Sequence, residues 1–152
     1  MTAAVTLATL GNGPAFSAYQ GTSQTLTANV YTKIQLNTER FDTNSCFDST
    51  TNYRFTPTVA GYYQINYAVY GTSTVSVTNF VTALYKNGSV YEFGAINTLN
   101  SIQQYVSSTL VYMNGSTDYL ELYMTMNGSG TLAATPSSGT VSYMSGFLAR
   151  GA

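Results

Sequence analysis

Apolar side chains in this chain recur with a period of two and almost never with the 3.6 of a helix, and this limits the possible folds more than any other feature. In "DYLELYMTM", Leu120, Leu122, Met124 and Met126 alternate with Tyr119, Glu121, Tyr123 and Thr125. In "GYYQINYAV", Tyr63, Ile65, Tyr67 and Val69 alternate with Gln64, Asn66 and Ala68. Both read as half-buried strands, and the pattern places Glu121 on a solvated face beside Tyr119. Thr, Val, Tyr and Phe abound, and turn signals return every 10 to 15 residues, as in an all-β sandwich or barrel. Strands are predicted near 14–20, 30–36, 51–56, 61–70, 78–86, 89–95, 103–112, 118–126 and 140–149.

The punctuation between these strands has a chemistry of its own. Pro57 offers no N–H to a ladder and ends one strand. Gly61 is expected to take a backbone angle closed to other residues, so "PTVAG" reads as a corner. Asn87-Gly88 supplies the two positive-φ residues of a type I′ hairpin turn, and Asn12-Gly13, Asn114-Gly115 and Asn127-Gly128 repeat the dipeptide. Three of these pairs continue into Ser and match a glycosylation sequon, but Asn-Gly is read here as turn chemistry. The segment 128–140 is Gly-, Ser- and Thr-rich and reads as a loop. The organisation expected is an N-terminal arm over 1–13 and a single domain over 14–152.

A chain of 152 residues can bury a core without staples. The single Cys46 permits no internal disulfide, and it reads as a buried filler. Only 11 residues are charged, 5 basic and 6 acidic, while Ser, Thr, Asn and Gln make up more than a third of the chain. Five scattered cations disfavour nucleic acid and anionic membrane surfaces, and no apolar run approaches a membrane span. A neutral, hydroxyl- and amide-rich exterior suits an extracellular or virion surface, because it keeps its hydrogen-bonding capacity at any salt concentration. No Lys or Arg precedes Lys33, so the start of the sequence lacks the basic region of a secretory signal.

Catalysis finds little to use. The absence of His excludes a Ser-His-Asp or Cys-His arrangement and a His-ligated zinc site. Two carboxylate pairs could in principle serve glycoside hydrolysis, Asp42 with Asp48 or Asp118 with Glu121. Asp42 and Asp48 are also the foremost candidates for a calcium site. "GNGPAF" lacks the Lys and helix of a phosphate cradle, so Gly11 and Gly13 read as turn residues. No catalytic, cofactor or metal residues are expected. The 14 tyrosines are the main resource, large faces with hydroxyls that suit subunit interfaces and stacking on sugars, although most should pack between strands.

Several landmarks fall together in order and spacing: "PAFSAY" at 14–19, "FDSTTNYRFTPTVAGYYQINY" at 47–67, "LYKNGSV" at 84–90, "MNGSTDYLEL" at 113–122 and "SYMSGFLAR" at 142–150. Over about residues 14–150 the sequence thereby resembles the globular head domain of complement component C1q and its tumour necrosis factor-like relatives. Phe47-Asp48, Phe55, Gly61 and Tyr63 match one family motif, and Ser145-Gly146-Phe147-Leu148 match the closing one. Pro57 is shifted by one place, the Gly-Asp pair is split between Gly115 and Asp118, and no Gly-X-Y repeat occurs.

The resemblance implies a ten-stranded jelly-roll β-sandwich that assembles as a homotrimer with no catalysis. It places the strands around 14–20, 61–70, 103–112 and 140–149 about the three-fold axis. Tyr63, Tyr105 and Tyr143 are expected at the interface, and the loops at 71–77 and 128–139 are left for attachment. Phages use this module on virions, and the charge-poor composition fits such an exterior. The expected role is a virion structural protein, foremost a capsid decoration or cement protein on the major capsid protein, anchored through Thr2, Val5, Leu7 and Leu10. The alternative is the tip of a tail or head fibre that binds a host surface glycan, and the third reading is a secreted recognition protein. No cofactor and no membrane insertion are expected.

Overall fold

The computed structural model describes residues 12–74, 77–97, 102–128, 132–134 and 141–152, and every regular element among them is a strand. Thirteen strands follow in chain order: β1 (Ala15–Tyr19), β2 (Gln24–Leu26), β3 (Thr32–Lys33), β4 (Thr38–Asp42), β5 (Phe47–Asp48), β6 (Arg54–Phe55), β7 (Gly61–Ser73), β8 (Asn79–Lys86), β9 (Ser89–Asn97), β10 (Ile102–Met113), β11 (Leu120–Asn127), β12 (Leu132–Ala134) and β13 (Tyr143–Gly151). Three of them, β3, β5 and β6, are two residues long, which leaves the ten longer strands of a jelly roll. The long strand β7 organises the first sheet: it pairs with β10 on one side and with β13 and then β12 on the other, and β1 and β4 continue beyond β13. The second sheet runs β5, β6, β11, β8, β9, with β3 also paired to β11.

The period-two pattern puts its apolar half between these sheets. Phe16 of β1 stacks on Phe47 and Phe55 of the second sheet, at centroid distances of 5.1 and 4.3 Å, and Phe55 meets Tyr63 of β7 edge-on at 5.4 Å. Further along, Phe80 packs on Tyr105 at 5.2 Å, and Leu120, Leu122, Met124 and Met126 all point inward as predicted. Each large side chain so buried is worth about 1.5–3 kcal/mol, enough to hold the sheets together without a disulfide. Cys46 is buried as expected, and burial raises the thiol pKa.

The open seam between β9 and β10 has no ladder, and side chains close it instead. The Tyr91 hydroxyl donates to the Leu110 carbonyl at 3.2 Å, and Lys86 Nζ donates to the Tyr112 carbonyl at 2.7 Å. These bonds occupy edge acceptors that would otherwise template another strand.

Local chemistry departs from the sequence reading in four places. Asn87 and Gly88 both have positive φ, 53° and 78°, as a type I′ turn requires, whereas at Asn114-Gly115 only the glycine does. Gly61 is also free of positive φ. It is required because a Cβ there would come within 2.4 Å of the Arg150 carbonyl and 2.6 Å of Leu148 Cδ1, where β13 crosses. The predicted strand at 51–56 is reduced to Arg54–Phe55, since Asp48 gathers the preceding residues into a turn. Edge strand β4 and short β12 were not anticipated, because "TERFD" is too charged and "LAA" too brief for alternation to show.

Candidate assembly interface

Strand parity in the first sheet decides which tyrosines can meet another molecule. On β7 the odd residues Tyr63, Ile65, Tyr67 and Val69 are fully buried in the sandwich, so Tyr62, Gln64, Asn66, Ala68 and Tyr70 face away from it. The registers Thr109↔Ile65 and Gly146↔Ile65 then carry the inward parity to odd residues of β10 and even residues of β13. The outward face is therefore built from Gln104, Val106, Ser108, Leu110 and Tyr112 of β10, Tyr143, Ser145 and Phe147 of β13, and Ala15, Ser17 and Tyr19 of β1.

None of these outward positions carries a charge. A hydroxyl and amide row, Ser108, Asn66, Ser145 and Ser17, crosses the middle of the face, bordered by exposed apolar groups: Val106 at 62%, Leu110 at 51% and Phe147 at 50% of full exposure. Tyr62 and Tyr112 pack together at 5.4 Å on its rim. Charge returns only at the margins, with Arg150 opposite Tyr62 and with Arg40, whose guanidinium lies 5.2 Å from the Tyr19 ring and donates to Ser17 Oγ.

The three tyrosines expected at an interface do not share a face. Tyr143 lies outward. Tyr105 is on the inward parity and packs on Phe80, and Tyr63 is fully buried with its hydroxyl donating to the Val59 carbonyl at 2.7 Å. Burial pushes the Tyr63 phenol well above its ordinary pKa, as expected of a group sealed inside the sandwich. On β10 both parities mix apolar and hydroxyl groups (Tyr105, Ser107, Thr109 and Val111 against Val106, Ser108, Leu110 and Tyr112), so alternation there does not tell which side is the core, and the exposed Val106, Leu110 and Phe147 were not singled out. Thr2, Val5, Leu7 and Leu10 lie outside the described residues, as do 75–76 and most of the loop at 128–139.

The acidic candidates turn out to be structural. The Asp42 carboxylate accepts from the Phe47 and Asn44 N–H groups at 2.7 and 3.3 Å. Asp48 accepts from the N–H groups of Thr50, Thr51 and Asn52, from the Thr50 hydroxyl and from the Asn52 amide, all within 3.1 Å. The backbone bonds from Thr51 and Thr50 lead in holding the Asp48 carboxyl far below its ordinary pKa. Both carboxylates cap the loop between β4 and β6. Among the described residues no group of three or more potential ligands gathers.

Glu121 corrects the expected solvated face: it is 5% exposed and its carboxylate meets Lys33 Nζ at 3.0 Å. The cause is β3, which pairs with β11 from 88 residues away and lays Lys33 over the carboxylate. Asp118 pairs with Lys86 at 2.9 Å and accepts from the Asn87 amide and the Asn114 N–H. The two acids therefore hold separate cations, Lys33 for Glu121 and Lys86 for Asp118.

The architecture is that of a TNF-like jelly roll, one sheet offering an uncharged face. Among solved structures, Eiger TNF from S. frugiperda matches with a TM-score of 0.64 at 9% identity, over 92% of this chain and 93% of that one. Murine APRIL at pH 5.0 matches at 0.60 and 12% identity, over 89% and 97%. The PRD1 vertex protein P5 matches at 0.58 and 14% identity, over 90% and 95%. No family model and no curated protein matches the sequence.

Proposed function

We propose that this protein is a non-enzymatic structural component of a virion exterior, assembled as a homotrimer through the outward face of the first sheet. The observation that carries the reading is that face: uncharged across its centre, with Val106, Leu110 and Phe147 half or more exposed in a single chain. Such a surface calls for cover, and copies of one chain supply it most simply when the same patch recurs around an axis. The TNF-like fold supports three copies by analogy, and the PRD1 vertex protein among its neighbours supports a place on a virion. The absence of His and the structural engagement of Asp42, Asp48, Asp118 and Glu121 support a protein without catalysis.

Within the virion the favoured role is capsid decoration, with the major capsid protein as partner. A second reading, a receptor- or glycan-binding spike or fibre tip, draws on the neighbour named as a vertex protein. Quantitative mass spectrometry and antibody labelling of purified particles test both. Decoration predicts labelling over the whole shell with copy number scaling with the capsid lattice. A tip predicts labelling confined to vertices or tail, and absence from particles overturns both.

A further inference from the structure

The second sheet also carries aromatic rings on its solvent side, and they are organised. Tyr123, Ala83 and Phe93 lie in one cross-strand row, with Ala83 as a fully buried small floor. Tyr85 stacks on Tyr123 with centroids 4.0 Å apart, and Tyr31, from the loop before β3, reaches across to stand 6.2 Å from both Tyr85 and Phe93. Four rings thus surround one methyl group. Phe93 is 50% exposed and Tyr31 37%, so the cluster is open to a ligand.

The edge of this platform is polar but electrically balanced. Lys33 presents an ammonium whose charge is cancelled by the buried Glu121, and the Tyr123 hydroxyl donates to the same carboxylate at 3.5 Å. Burying one member of an ion pair is a weak source of stability. What the pair does here is fix hydrogen-bond donors beside aromatic faces without leaving a field that attracts anions.

We infer that this platform, Tyr31, Tyr85, Phe93 and Tyr123 with Lys33 at its rim, binds a neutral pyranose of a glycan. A pyranose has an apolar C–H face and a circumference of hydroxyls, which matches rings carrying their own phenolic groups beside a compensated ammonium. Charge complementarity disfavours phosphorylated, sulfated or sialylated ligands, because the ammonium is already paired. The platform lies on the sheet opposite the assembly face, so a trimer presents three copies outward, and weak single sites add through multivalency. This presentation rests on the trimer reading, whereas binding at a single site does not.

The test uses the full chain with neutral oligosaccharides of glucose, galactose and N-acetylglucosamine, read by saturation-transfer NMR and tyrosine fluorescence, with sialylated and sulfated sugars as comparison. The expected result is binding of at least one neutral oligosaccharide, weakened about tenfold or more in Tyr31→Ala and in Phe93→Ala. That is the loss expected for one stacking contact of roughly 1.4 kcal/mol. Both side chains are solvent-exposed, and circular dichroism confirms that the variants fold. No binding of any neutral sugar at millimolar concentration, binding of anionic sugars alone, binding unchanged in both variants, or self-association abolished by either variant would each overturn the inference. The native mass of the same samples reports separately on the trimer, so loss of either reading leaves the other measurable.

Discussion

Tyr63 shows how one residue divides between fold and assembly. Its ring closes the Phe16, Phe47 and Phe55 stack and its hydroxyl satisfies the Val59 carbonyl in the corner before β7. Tyr63→Ala should therefore destabilise the subunit itself by about 3–5 kcal/mol, whereas Tyr63→Phe should cost about 1 kcal/mol for the lost hydrogen bond. Chemical denaturation of each variant checks this, and an Ala variant as stable as the parent would place the ring outside the core. Asp118 gives a pH signature. Burial alone would raise its pKa, but the Asn87 amide, the Lys86 ammonium and the Asn114 N–H together outweigh this and hold it below the ordinary 3.8. A carboxylate with a lowered folded pKa stabilises the fold above its unfolded pKa, and that contribution disappears as pH falls through the folded value. Asp118→Asn should therefore lower Tm at pH 7, with the gap to the parent closing as pH drops below about 4. A gap independent of pH would mean that the carboxylate's charge contributes nothing.

Turns and strands differ in how much of them local sequence can reveal. Asn87-Gly88 was legible because a type I′ turn needs two positive φ angles and few dipeptides accept them. Inward Leu120 to Met126 was legible because alternation is a property of a single strand. The burial of Glu121 was not, since it depends on β3 arriving from a distant part of the chain, and neither was the outward parity of Val106 and Phe147, which only sheet register fixes. The glycines of two turns separate conformation from space. Gly88 and Gly115 both have positive φ, but a Cβ on Gly88 meets only the Tyr119 hydroxyl at 3.5 Å, whereas one on Gly115 comes within 2.3 Å of the Ala60 nitrogen. Gly88→Ala should cost about 1–2 kcal/mol from backbone strain alone. Gly115→Ala should cost clearly more, because backbone must also move. Paired thermal melts decide it, and equal losses would remove the steric part of the explanation.

At the scale of the whole molecule the two sheets have unlike exteriors. One offers an uncharged face with exposed apolar groups around a hydroxyl and amide row, the other an aromatic platform with a balanced ion pair, and the seam between β9 and β10 is closed by side chains. The fold class was legible in the landmark motifs, but the assembly surface was not, because a face is assembled from four strands that no single stretch contains. The measurement that tests assembly most directly is native mass spectrometry of the parent chain and of Leu110→Asp at micromolar concentration. Leu110 is half exposed in the subunit, so the substitution leaves the core untouched while placing a charge among the exposed apolar groups of the proposed contact. The parent should appear at three times 16.3 kDa, and Leu110→Asp at 16.3 kDa with unchanged circular dichroism. A monomeric parent, or a Leu110→Asp variant that stays trimeric, would contradict assembly through this face.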